Sequence, residues 1–146
     1  MSTVDGVKAA LVALFGSVLP SDVQVLYGPA TVPTELADSV VTVGKVTGTS
    51  ELDSLGVGTT GDDYTVEIIV SVTMPGGDTQ QLATQTALGL WGTTRDAVLA
   101  HATGDLGVAG VLSAKPVGAW ELTEYAGDFG RSAAIRWSVR VKAQGI

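Results

Sequence analysis

The stretch Asp63–Met74 constrains this chain more than any other. Tyr64, Val66, Ile68, Val70 and Val72 alternate with Thr65, Glu67, Ser71 and Thr73, and Ile69 is the one apolar residue on the polar side. A period of two built from β-branched and aromatic residues marks a long strand with one buried face. Pro75-Gly76-Gly77 stops it, and Asp78 opens a helix. Such a strand needs a neighbour on each edge and an apolar layer over its Val/Ile face. The rest of the chain has to supply both.

Upstream, Ser2 or Thr3 is placed to cap a first helix, with Asp5 near its positive end. Val4, Val7, Leu11, Leu14 and Val18 fall at helical spacing and predict its buried stripe. Pro20-Ser21-Asp22 ends that helix, Val23–Tyr27 is a short strand stopped by Gly28-Pro29, and Thr31-Val32-Pro33 is extended. Ser39–Val46 reads as a second strand. The next sixteen residues, Thr47–Asp62, are rich in Gly, Ser and Thr, where a hairpin needs roughly two to five. They read as a β-hairpin arm ordered against a neighbouring subunit, with Glu51, Leu52 and Leu55 as contact residues. A loose solvent loop is the alternative.

Downstream, Asp78 and Gln81 form a capping-box-like pair for a helix running to about His101. Its expected buried face is Ala83, Ala87, Leu90, Trp91, Thr94, Ala97 and Val98. Gly89 and Gly92 each cost about 1 kcal/mol of helix stability relative to Ala, which predicts close packing on the sheet or a bend. Gly104–Gly110 is a loop. Val111–Tyr125 reads as a fourth strand, with Pro116 and Gly118 suiting a bulge or an edge. Arg131–Ala143 closes the sheet, with Ala133, Ile135, Trp137, Val139 and Val141 on one face and Arg136, Ser138, Arg140 and Lys142 on the other. The order α-β-β-β-α-β-β predicts one α+β domain over 1–146: a mainly antiparallel sheet, two covering helices and a long hairpin arm.

Composition narrows function. The chain has no Cys and a single His, which removes thiol chemistry and zinc-thiolate sites. Net charge is −7, against a protein that grips nucleic acid over a broad surface. All 15 acidic residues lie before Arg131, while Arg131, Arg136, Arg140 and Lys142 crowd the last strand. That polarity suits subunits meeting acidic patch to basic patch. The competing reading pairs the cations with Glu67, Glu121 and Glu124 inside one sheet. Mean hydropathy of +0.35 leaves surplus apolar surface of the kind that ends in subunit interfaces. Ala9–Leu19 lacks a basic lead-in and a cleavage site, and no run reaches ~20 apolar residues, so neither a signal peptide nor a membrane span is expected.

The chemistry-bearing motifs are weak. Gly56-Val57-Gly58-Thr59-Thr60-Gly61 spells the dinucleotide-binding pattern, but a strand follows where the pattern requires a helix N-terminus. It reads as a hairpin tip. Neighbours Asp62 and Asp63 point to opposite strand faces, as do Glu121 and Glu124, so neither pair makes a metal or acid/base site. His101 lacks a marked nucleophile and suits a helix C-terminus. Trp91, Trp120 and Trp137 suit core or interface anchoring. No catalytic, cofactor or metal residue is expected, and the chain reads as non-enzymatic.

Taken in order, the chain resembles the tail terminator proteins of long-tailed, siphovirus-type bacteriophages over essentially its whole length. The likeness lies in the opening helix, Val25-Leu26-Tyr27-Gly28-Pro29, Val40-Val41-Thr42-Val43-Gly44, the long loop, the Tyr64–Thr73 strand, the Gly77-Asp78-led helix and the closing hairpin. The resemblance implies a structural virion protein at the head-proximal end of the tail, assembled in the host cytoplasm. It implies a homohexameric ring that caps the tail-tube protein, ends polymerisation and docks to the head connector or stopper. Genomic DNA would pass through the lumen without sequence-specific binding, and no cofactor or membrane is involved. Arg136, Arg140 and Lys142, with Glu51, Leu52 and Leu55, are then the expected subunit contacts. Rivals are another head–tail joining protein (stopper or adaptor), a tail-tube subunit, or, from a different class, a small-ligand binding module or enzyme.

Overall fold

The computed structural model describes residues 2–28, 38–52, 60–101, 104–127 and 130–145, with backbone alone for 50–52, 60 and 145. Its elements are α1 (Val4–Val18), β1 (Gln24–Tyr27), β2 (Ser39–Leu52), β3 (Thr60–Pro75), α2 (Gln80–Leu99), β4 (Val111–Pro116), β5 (Glu121–Ala126) and β6 (Gly130–Gly145). One sheet runs β1-β2-β3-β6-β4, with β5 also on β6. Among the described strands only the β1–β2 pair is parallel. This is the α+β fold expected, with β3 at its centre.

The alternation in β3 sets the layers. Val66, Ile68, Val70 and Val72 are fully buried and Tyr64 nearly so. Opposite them on β6 lie Val139, Trp137, Ile135, Ala133 and Val141, on the same face. Both helices pack over this face and touch each other, closing one apolar core. Among the described residues, the other face of the sheet carries no helix.

Four local expectations change. The stripe of α1 runs through Val7, Leu11 and Phe15, because four-residue steps rotate it past Leu14 and leave Val18 exposed. Phe15 reaches Trp137 at 6.2 Å between ring centroids. The Asp78–Gln81 capping box does not form: Thr79 stands at the N-cap of α2 and its hydroxyl donates back to the Gly76 carbonyl at 3.1 Å. Gly89 and Gly92 face open space, so close packing on the sheet is not their role. Finally, the strand expected over Val111–Tyr125 is two strands laid end to end along β6. Pro116 pairs with Val139, the Val117 N–H reaches the Ser138 carbonyl at 2.8 Å, and Glu121 pairs with Arg136. Residues 117–120 therefore bow outward past Trp137, at the edge and at the Pro116/Gly118 break that the sequence marks.

Candidate interface surfaces

The hairpin arm is mostly ladder. Val43 pairs with Ile68 and Val46 with Val66, so Gly44 and Lys45 together oppose Glu67 as a β-bulge. Beyond it, Val46–Leu52 pairs residue by residue with Thr60–Val66, and β6 braces β3 as far as Thr60 opposite Gly145. The Thr3 hydroxyl, although at the N-cap of α1, caps nothing; it bonds the Tyr64 hydroxyl at 2.7 Å and ties that helix to the arm's root. Burial holds the Tyr64 phenol above its ordinary value. Gly48 lies against Tyr64 so closely that any Cβ would collide with it. Glu51 stands opposite Gly61 and Leu52 opposite Thr60, their side chains undescribed. Leu55 lies outside the described residues, as does most of the glycine motif, whose last member Gly61 opens a strand and no helix.

The uncovered sheet face gathers the cations of β6. Arg136, Arg140 and Lys142 share it, all exposed. Arg140 donates through Nε and Nη2 to both carboxylate oxygens of Asp63, at 3.0 and 2.7 Å. This pair holds the Asp63 carboxyl below the ordinary range, with the charge of Lys142 adding to it. Arg136 stands 3.6 Å from Glu67, beyond hydrogen-bond reach. Of the partners foreseen, Glu67 is found and Glu121 sits across from Arg136. Glu124 turns to the helix side and accepts from the Thr84 hydroxyl at 2.8 Å. Asp63, read in the sequence only as half of an Asp-Asp pair, is the strongest partner.

A groove of about 550 Å³ opens beside the bulge, lined by Val4, Lys8, Tyr27, Lys45, Val46 and Ile69 among others. The Lys8 ammonium lies 4.3 Å above the Tyr27 ring. The Tyr27 hydroxyl donates to Asp5 at 2.7 Å, which raises the phenol's pKa. Nothing in the sequence linked α1 to this bulge, because the approach depends on where β1 stops.

Trp137 is core, as expected, whereas Trp120 is half-exposed and stacks on Trp91 at 4.7 Å between centroids. The Arg95 guanidinium covers Trp91 at 4.6 Å. The bow at 117–120 makes this cluster, and the Pro116/Gly118 break was the sequence signal for it. The Ser132 hydroxyl shares a hydrogen bond with the Thr73 hydroxyl at 3.1 Å. His101 donates its backbone N–H to the Val98 carbonyl at the end of α2. Among the described residues, no three His, Asp or Glu side chains gather as a metal site, and no helix is long and apolar enough to cross a membrane.

No protein-family model and no curated protein matches the chain. Among solved structures, the fold is similar to a chain in the structure described as "Virion of native gene transfer agent (GTA) particle". The TM-score is 0.65 at 17% identity, and the match spans 99% of this chain and 100% of the other. At that identity the likeness is one of fold.

Proposed function

We propose that this chain is a structural, non-enzymatic virion protein of the tail-terminator type. The observation that carries the reading is the end-to-end match, without large insertion or remainder, to a chain of a phage-like virion. It agrees with the order of elements that suggested a terminator from the sequence. In this reading six copies close a ring on the last tier of tail-tube protein, stop its growth and present the opposite face to the head connector.

The surfaces suit such a ring. A cyclic assembly joins two different patches of each subunit, so it needs complementary surfaces on one chain. An acidic body and a basic last strand provide them, and Arg136, Arg140 and Lys142 stand on a sheet face that neither α1 nor α2 covers. A chain of net charge −7 repels DNA phosphates, so a genome can slide through the lumen without adhering. The matched chain is described by its particle and not by its position within it. A stopper, adaptor or tail-tube subunit is therefore the alternative.

Native mass spectrometry over a concentration series tests the ring. A closed hexamer is expected; a fixed dimer at all concentrations would overturn the reading.

A further inference from the structure

The groove beside the β2 bulge has a distinct chemistry. Val4, Val46 and Ile69 give it an apolar floor, and Lys8 and Lys45 stand at its sides. Lys45 is exposed and set there by the bulge, a device that re-aims side chains. Glu67 is the one acid lining it among the described residues, and Arg136 at 3.6 Å offsets its charge. Two cations around an apolar floor suit a short segment carrying carboxylates and aliphatic side chains.

The end of the arm has that composition: Glu51-Leu52-Asp53-Ser54-Leu55 holds two acids and two leucines in succession. Glu121-Leu122-Thr123-Glu124 shares the pattern but is tied to its own sheet, Leu122 packing on the core.

A copy's own groove is out of reach of its own arm end. The ladder from Val46 to Leu52 covers roughly 20 Å at about 3.3 Å per residue, and β3 and β6 hold it straight. Residues 53–59 join Leu52 to Thr60, and going out and back they span about 12 Å at most. We infer that the Glu51–Leu55 segment of one copy docks in the Lys8/Lys45 groove of the next. This rests on the ring reading and specifies its contact: arm and groove are different surfaces, as a heterologous interface requires.

The absence of cysteine makes the test direct. An Asp53→Cys chain is mixed with a Lys45→Cys chain under mild oxidation. A reductant-sensitive dimer containing one of each is expected, at least about tenfold above an Asp53→Cys/Ser17→Cys control mixture, as the scale of a specific charge-complementary contact suggests. Rings seen by native mass spectrometry without enrichment of the 53–45 product would overturn the groove assignment and leave the ring standing. Absence of both rings and product would overturn both. In a second arm, Lys8→Glu with Lys45→Glu is expected to reduce assembly about tenfold, with recovery when Glu51→Lys and Asp53→Lys are added to the same chain. Unchanged assembly in the first variant would also overturn the assignment.

Discussion

Arg140 and Asp63 form a two-pronged ion pair on a diagonal between the two longest strands, Arg140 being registered with Thr65 and Asp63 with Lys142. The guanidinium fork matches the carboxylate, the arrangement that makes such bonds strong. It keeps the Asp63 carboxyl ionised below the usual carboxylate range. A lowered folded-state pKa contributes stability that is present above the unfolded value, about 3.9, and is lost as pH falls through the folded one. Asp63→Asn should therefore melt below the wild type at neutral pH, and the gap should narrow below about pH 4 and close once Asp63 is protonated. Thermal melts from acid to neutral pH check this. A gap that does not change with pH would remove the ion pair as its cause.

The Thr3–Tyr64 hydroxyl pair is buried and joins α1 to the arm's root. Tyr64→Phe leaves the Thr3 hydroxyl without that partner, which should cost about 1–2 kcal/mol. Thr3→Val in the same chain removes both polar groups and should recover most of the loss, since Thr3 makes no capping bond. Chemical denaturation of the four chains measures the coupling.

Two kinds of glycine should respond in opposite directions. A Cβ at Gly48 meets the Asp63 carbonyl at 2.7 Å and the Tyr64 Cα at 2.8 Å, backbone atoms that cannot swing away. Gly48→Ala should cost about 1–3 kcal/mol through forced strand displacement. At Gly89 and Gly92 a Cβ meets nothing, so alanine there should stabilise α2 by about 0.5–1 kcal/mol each. Denaturant midpoints read both signs.

Much of this fold is written locally. The alternation of Tyr64–Val72 and of Ala133–Val141 assigned both central strands and their buried faces, since a period of two leaves one choice of face. The arm was harder to read. The bulge at Gly44-Lys45 shifts the phase, and Gly48 removes a side chain from the buried row, so Thr47–Leu52 shows no apolar alternation although it is strand. Asp63 was hidden for a related reason. Its outward direction follows from alternation, but its diagonal partner depends on cross-strand register, which the hydrophobic pattern of either strand alone does not supply. Stacking of Trp120 on Trp91 likewise needs the bow between β4 and β5. Glu51, Leu52, Leu55, Arg136, Arg140 and Lys142 were proposed from charge and composition; Arg136 and Arg140 have acidic neighbours within their own sheet, and their contacts across subunits belong to the proposal.

Arg136 separates the two roles. Its pair with Glu67 is long and exposed, worth little to folding. Arg136→Glu should change stability by under about 1 kcal/mol, allowing for repulsion from Glu67, and yet weaken ring assembly measurably. Denaturation and native mass spectrometry on the same sample give both numbers. Unchanged assembly would assign Arg136 to the sheet alone.

A terminator acts on a growing tail, and electron microscopy of tail tubes that lack one, incubated with the purified chain and free tube subunits, shows that action directly. A single ring at one end of each tube and no further elongation there are expected. Bare ends on tubes that keep lengthening in the presence of the protein would contradict the terminator reading.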